Sequence, residues 1–244
     1  MEEHAEHAGE AEAARVEEKR TATYGDFLIV DYTLLAEDTN ELYKTTMEED
    51  AKKYRVFSES SRYGPTLLIL GAGWLHRNIE KLFLGMAPGE EKQGVLQPKD
   101  AFGERDPRNI KTIRVKKLER EGITIRVGER VIVNGREGRI DSVSGGRVRI
   151  DFNHPLASKR VRYKLILHKI LESMEEKIKA IVNHVFPSSV RVSLKDRIVT
   201  IDIPQEVVEG EENIVGLKQS VLSLISRYVK EIEEVRFVEH YKIS

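Results

Sequence analysis

The sequence predicts an α+β protein, with short strands through its first two thirds and helices concentrated near its end. Three observations carry that prediction. Runs rich in β-branched and aromatic residues recur between Gly and Pro turns up to about residue 170. Two later stretches, 172–185 and 213–232, repeat apolar residues at helical spacing. The chain has 244 residues and no cysteine, which is length for one to three cores that need no disulfide staples.

Taken in order, residues 1–23 read as an acidic tail. It is rich in Ala and Glu but has no apolar stripe, so it is helical or frayed material with nothing to bury. For the same reason it is not read as a secretory leader. Phe27-Leu-Ile-Val-Asp-Tyr-Thr-Leu-Leu is the first strand, Asp38-Thr-Asn a turn, and Leu42-Tyr-Lys-Thr-Thr the second strand. Residues 47–53 suit a short helix. Thr66-Leu-Leu-Ile-Leu is an apolar strand ended by Gly71 and Gly73. Leu75, Ile79, Leu82 and Phe83 then recur at helical spacing, and Gly85 is placed to end that helix. Residues 91–96 give a further strand. Short strands follow at 110–116, 123–127, 130–133, 137–143 and 147–152, punctuated by Gly128, Gly135, Gly138, Gly145 and Gly146. Such spacing predicts a small β-barrel-like unit. Residues 160–170 form a long returning strand. The remainder reads helix, hairpin about Lys195-Asp196-Arg197, long helix and final strand, the order of a compact α+β domain.

Charge is uneven beneath a net value of -1. Residues 111–164 hold 15 basic and 6 acidic residues, a balance of +9, while 1–20 and 21–110 each carry -4. The basic block could attract acidic polypeptides or bind RNA electrostatically, although few aromatics are present to stack bases. No apolar run reaches the ~20 residues of a membrane helix, so no membrane partner is expected. Walker, H-E-x-x-H and G-x-S-x-G motifs are absent, and the scattered histidines form no ligand spacing. No metal and no cofactor are therefore expected.

Two motifs add a resemblance. Gly71-Ala-Gly-Trp-Leu-His-Arg-Asn-Ile-Glu-Lys-Leu-Phe-Leu-Gly-Met-Ala-Pro-Gly-Glu-Glu-Lys runs on to Gln97-Pro-Lys-Asp-Ala-Phe-Gly. Phe152-Asn-His-Pro-Leu-Ala-Ser precedes a strand that contains Tyr163. In this order and spacing, residues 24–170 resemble the FKBP-type peptidyl-prolyl cis-trans isomerases, in the branch that is SlyD-like or of the long archaeal type. The resemblance implies an FKBP-like antiparallel sheet wrapped on a short helix, built from 24–111 and 158–171. A chaperone domain, 112–157, would be inserted in its flap. The C-terminal α+β domain, 172–244, matches long members by position and implies a homodimer.

What the resemblance implies for the site can be stated residue by residue. The catalytic cleft would be lined by Tyr32, Tyr43, Leu75, Ile79, Phe102 and Tyr163, with the backbone N–H of His76 holding a substrate carbonyl. Lys44 stands where a pocket carboxylate is usual, His76 where an aliphatic residue is usual and Asn78 where Gly is usual. Phe102 lacks the usual hydroxyl. These departures predict weak activity. The insert would bind unfolded or nascent chains with X-Pro bonds through exposed Ile123, Ile125, Val127, Val131, Ile132 and Val133. His154 reads as a turn residue. The resulting expectation is a cytoplasmic prolyl isomerase and folding helper. A non-catalytic chaperone, or a ribosome- or RNA-associated factor on a decayed scaffold, stands as the alternative.

Overall fold

A computed structural model describes residues 20–186 and 190–241; the acidic tail expected at 1–23 therefore lies almost entirely outside the described residues. The first sheet contains β1 (Phe27–Ala36), β2 (Glu41–Thr45), β3 (Thr66–Ile69), β4 (Glu91–Leu96) and β9 (Val161–Leu171). All its pairings are antiparallel, in the order β2-β1-β9-β4, and β3 shares the β2 edge of β1. Between β2 and β3 lies the short helix α1 (Glu48–Lys53). Between β3 and β4 lies α2 (Arg77–Glu80), prolonged by a 3₁₀ turn at Lys81–Phe83.

Strand β1 explains why the first sheet is covered on both faces. Leu28, Val30, Tyr32 and Leu34 point to the face that packs on Ile79 and Phe83. Phe27 and Ile29 point the other way, against the C-terminal helices. Side chains alternate along a strand, so a near-continuous apolar run is buried twice.

The chain leaves this sheet after β4 and returns at β9. Leu96 and Val161 are cross-strand partners, so the ends of the insertion are adjacent. The inserted unit contains β5 (Ile110–Arg114), α3 (Val115–Arg120), β6 (Arg130–Val133), β7 (Arg136–Ser144) and β8 (Arg147–Asp151). Its strands pair in the order β5-β8-β7-β6 and do not close. The barrel expected from turn spacing is thus an open antiparallel sheet. Four short strands are too few to close a barrel, and α3 covers the apolar face with Leu118 instead. Residues 123–127 carry no ladder, so the strand expected there is an extended loop, and α3 occupies the end of the strand expected at 110–116.

The C-terminal part holds α4 (Met174–Val185), β10 (Arg191–Lys195), β11 (Ile198–Ile203), α5 (Gln205–Gly210), α6 (Ile214–Tyr228) and β12 (Glu234–Glu239). Ser173 and Glu176 form a reciprocal capping box at the start of α4. β10 and β11 make the expected hairpin, while β11 and β12 are parallel, joined through α6 as a parallel pair requires. Helices α4 and α6 pack on this sheet and on Phe27, Leu67, Ile69 and Leu171 of the first sheet, as one apolar core. Among the described residues, no helix is long and apolar enough to cross a membrane.

Candidate functional site

Turn geometry builds the site before any side chain is considered. Gly71 has φ +91°, a conformation that costs an L-residue but not glycine. The chain after it is held by Glu80, whose carboxylate is buried. One oxygen accepts from the Gly71 N–H and the other from the Leu75 N–H, each at 3.0 Å. Both bonds satisfy a buried charge and fix the entry to α2. They leave His76 at the N-cap of α2, where its own backbone N–H has no partner among the described residues. Asn78, the residue that replaces glycine, donates from Nδ2 to the carbonyl of Ala101 at 3.0 Å. That bond ties α2 to the loop carrying Phe102.

A β-bulge aims the next residue. Leu34 pairs with Lys44 but Leu35 pairs with Leu42, so Tyr43 is the extra residue of β2. A bulge redirects the side chain it carries. The Tyr43 ring meets Phe102 edge-on, with centroids 6.0 Å apart, and its hydroxyl lies 3.0 Å from Nε2 of His154. His154 in turn stacks on Phe102 at 4.0 Å with 4° between the planes. The ring of His76 lies 4.7 Å from Phe102 on a tilt. These four rings form one wall. Ile79 is fully buried beneath, and Tyr163 packs on the same cluster. Gly94 lies opposite Tyr163 on β4, where an added Cβ would come within 2.7 Å of the Tyr163 hydroxyl. That glycine gives the Tyr163 ring its place.

The protonation pattern of His154 follows from its bonds. Its Nδ1 accepts from the Leu156 N–H at 3.2 Å, so the ring proton sits on Nε2 and is donated to the Tyr43 oxygen. The Tyr43 O–H is then free to donate elsewhere. Burial lowers the His154 pKa below the ordinary histidine value, and the His76 and Arg130 charges lower it further. Burial and Arg77 do the same to His76. In both rings the surroundings favour the neutral form.

The structure brings some of the expected site residues together and separates others. Tyr43, His76 and Phe102 meet in the wall, Ile79 and Tyr163 in the core behind it, and Tyr32 and Leu75 on the same apolar cluster. Lys44 points elsewhere: its ammonium lies 5.7 Å from the Tyr32 centroid, at the edge of a cleft shared with α4 and α6. His154 was readable as a turn residue, and it is one; its aromatic partners come from segments more than fifty residues away, which local motif reading does not see. The insert side chains need a correction. Val131 and Val133 were expected to be exposed, but alternation along β6 turns both into the core of the insert. Ile123 and Ile125 pack partly against that core. Only Val127 and Ile132, at 63% and 68% exposure, are presented to solvent.

The basic block is also less open than its sum suggests. Arg126, Arg130 and Arg149 pair with Glu129, Glu137 and Asp141 inside the insert. Lys159, Arg160, Arg162 and Lys164 pair with Glu41, Asp38, Glu37 and Glu91 of the first sheet. The pairs inside the insert are already counted in the +9 balance, and the four pairs with Glu41, Asp38, Glu37 and Glu91 offset four of those charges.

The junction is clamped by Asn153. Its Oδ1 accepts from the Asp106 N–H at 2.9 Å, and its Nδ2 donates to the Asp106 carbonyl at 3.0 Å and to Asp151 at 2.6 Å. Asp151 also pairs with Arg105. One side chain therefore joins the strands entering and leaving the insert, immediately before His154.

Comparison with known proteins follows the same division. Residues 111–156 match the family described as FKBP26, IF domain, and residues 174–242 match FKBP26_C-terminal. The short-type peptidyl-prolyl cis-trans isomerase of Methanocaldococcus jannaschii is 30% identical over 152 residues, covering 62% of this chain and 96% of that protein. The FKBP-type 16 kDa peptidyl-prolyl cis-trans isomerase of Escherichia coli strain K12 is 27% identical over 125 residues, covering 48% and 83%. The isomerase SlyD of Helicobacter pylori strain J99 is 28% identical over 121 residues, covering 48% and 64%.

Proposed function

This chain belongs to the FKBP-type peptidyl-prolyl cis-trans isomerases, and on that premise we propose how its cleft works and what it serves. The barrier to rotation about a peptide bond is ~18–20 kcal/mol and arises from amide resonance. Uncatalysed X-Pro exchange takes tens to hundreds of seconds. No nucleophile or metal is required to lower that barrier. A twisted amide loses C–N double-bond character and is less polar than a planar one, so an apolar cleft favours it.

The wall of Tyr43, Phe102 and His154, over buried Ile79 and beside the unpartnered His76 N–H, is the observation that carries this reading. The proline ring packs on Phe102 and Tyr163. The His76 N–H holds the carbonyl that precedes or follows the rotating bond, and the outward O–H of Tyr43 is a second donor. His154 touches Tyr43 rather than substrate and acts as a positioning residue.

Around this cleft we assign the accessory roles by exposure. Val127 and Ile132 on the insert give apolar purchase for unfolded or nascent chains, which raises their effective concentration beside the cleft. This is a chaperone role coupled to isomerisation. On the C-terminal domain Val215 and Leu222 lie seven residues apart on one face of α6 and are exposed, which suits a homodimer contact. The test is a refolding assay limited by proline isomerisation, run with the full chain and with Phe102→Ala. Acceleration by the full chain that Phe102→Ala reduces supports the cleft. Rates equal to the uncatalysed control overturn it.

A further inference from the structure

A second recess lies beside the aromatic wall. It is an open cleft of about 1540 Å³ between the first sheet and the C-terminal helices. Tyr32, Lys44, Trp74 and Leu75 line one side; His184 of α4 and Leu217 of α6 are on the other. Tyr32 and Leu75 belong to the apolar cluster that also holds Tyr43, Phe102 and Tyr163. Of the residues expected in the prolyl cleft, Tyr32 and Leu75 also line this recess, whereas Tyr43, Phe102 and Tyr163 do not.

Its charge is one-sided. Among the described residues, neither Lys44 nor Arg62 forms an ion pair with a carboxylate. Arg62 spends its donors on the carbonyls of Asn183 and Phe186, at 3.0 and 3.1 Å, and keeps its charge. The other lining charges are already matched, Glu176 with Lys169 and Lys179 with Glu175. Apolar side chains beneath unmatched cations are complementary to an extended polypeptide carrying a carboxylate.

We propose that this cleft is a peptide subsite of the isomerase, taking the chain that flanks an X-Pro bond and preferring Asp or Glu there, with Lys44 as the residue that reads the charge. The proposal rests on the isomerase reading above and adds a substrate class to it. His184 lies beside this charge: Arg62 binds the carbonyls of Asn183 and Phe186 on either side of it, and burial, then Arg62 and Lys44, lower its pKa. RNA phosphate would also meet these cations, and Tyr32, Tyr63 and Trp74 offer ring faces to a base, so competition by RNA is one arm of the test.

Trp74 lines the cleft and is the only tryptophan of the chain, so its fluorescence reports occupancy directly. The experiment uses the full chain and two extended peptides that share one X-Pro bond and differ only in Glu or Lys flanks. Binding is read by Trp74 fluorescence and exchange by NMR. The Glu-flanked peptide should bind roughly threefold or more tighter at low salt, with the advantage shrinking as salt rises. Lys44→Glu should abolish the preference, since the new carboxylate offsets Arg62. Equal binding of both peptides, while X-Pro exchange is still catalysed, overturns the subsite and leaves the isomerase standing. A Glu preference without catalysed exchange upholds the subsite and overturns the isomerase reading. Absence of binding by either peptide, or displacement of the Glu peptide by a short RNA, also overturns the subsite.

Discussion

The imidazole of His154 lies parallel to the ring of Phe102, 4.0 Å away, while its Nε2 meets the hydroxyl of Tyr43 at 3.0 Å. One residue from the insert thus joins Tyr43 of β2 and Phe102 of the loop after β4 in the same wall. Tyr43→Phe keeps the ring and removes only the hydroxyl. It should lower kcat/KM by about 1 kcal/mol of transition-state binding, the worth of one ordinary hydrogen bond. His154→Ala should cost more, because the Phe102 stack is lost as well. Steady-state exchange on one short peptide measures both. Equal activity in the two variants and the wild type would show that the rings are packing alone.

The pH profile follows from the same pair. Rotation about the amide moves no proton, so any titration of activity reports the cleft. Burial holds the pKa values of His154 and His76 below the ordinary histidine value. The neutral rings are therefore native, and activity should be full above the ordinary value and fall as pH drops through the lowered ones. Protonation of His154 puts a hydrogen on Nδ1, facing the Leu156 N–H, which breaks the bond that sets the tautomer. His154→Gln should flatten the acid limb, whereas His76→Gln should leave it, since His76 serves through its backbone. An unchanged limb in His154→Gln would assign it to another group.

Glu80 is the buried group on which the α2 turn depends. Glu80→Gln turns one acceptor into an N–H₂ that faces a backbone N–H, leaving a buried donor unpaired. The expected cost is about 1–3 kcal/mol of stability. Denaturant unfolding of the variant reads it directly, and a midpoint equal to wild type would mean that the turn rearranges freely.

Asn153 sits where the insert joins the first sheet, with three bonds to Asp106 and Asp151. Asn153→Ala should loosen the insert while leaving the cleft floor intact. Refolding of a long unfolded protein should then suffer more than exchange in a short peptide, because only the former uses the insert as a tether. Equal losses on both substrates would place the effect at His154 instead.

How much of this could be read beforehand divides along physical lines. The apolar alternation of β1 and the helical spacing of α4 and α6 are local patterns, and they were legible. Tyr43 is singled out by the resemblance, but its bulge is not, because the extra residue shows only in the register with Leu34 and Leu35. Helix α3 was hidden by a basic stretch whose single buried residue, Leu118, gives no period. Val131 and Val133 were misjudged because alternation says that half of a strand is buried without saying which half. The contacts of His154 with Tyr43 and Phe102 are hidden for a different reason. Its turn bond to Leu156 is local, whereas Tyr43 is 111 residues away.

The stack between Trp74 and His184 supplies the last prediction. The rings are 4.7 Å apart at 20°, and they join the first sheet to α4. Burial, then Arg62 and Lys44, hold the His184 pKa down, so the docked form favours the neutral ring. The sign follows: the stack's contribution is complete above the ordinary histidine value and is lost as pH falls through the lowered one. Because Trp74 is the sole tryptophan, its fluorescence should show one acid transition below the ordinary value. His184→Ala should abolish that transition and leave the activity limb assigned to His154 unchanged. If the two titrations vanish together, the C-terminal domain and the prolyl cleft are coupled, and a charge at His184 is felt at the rotating bond.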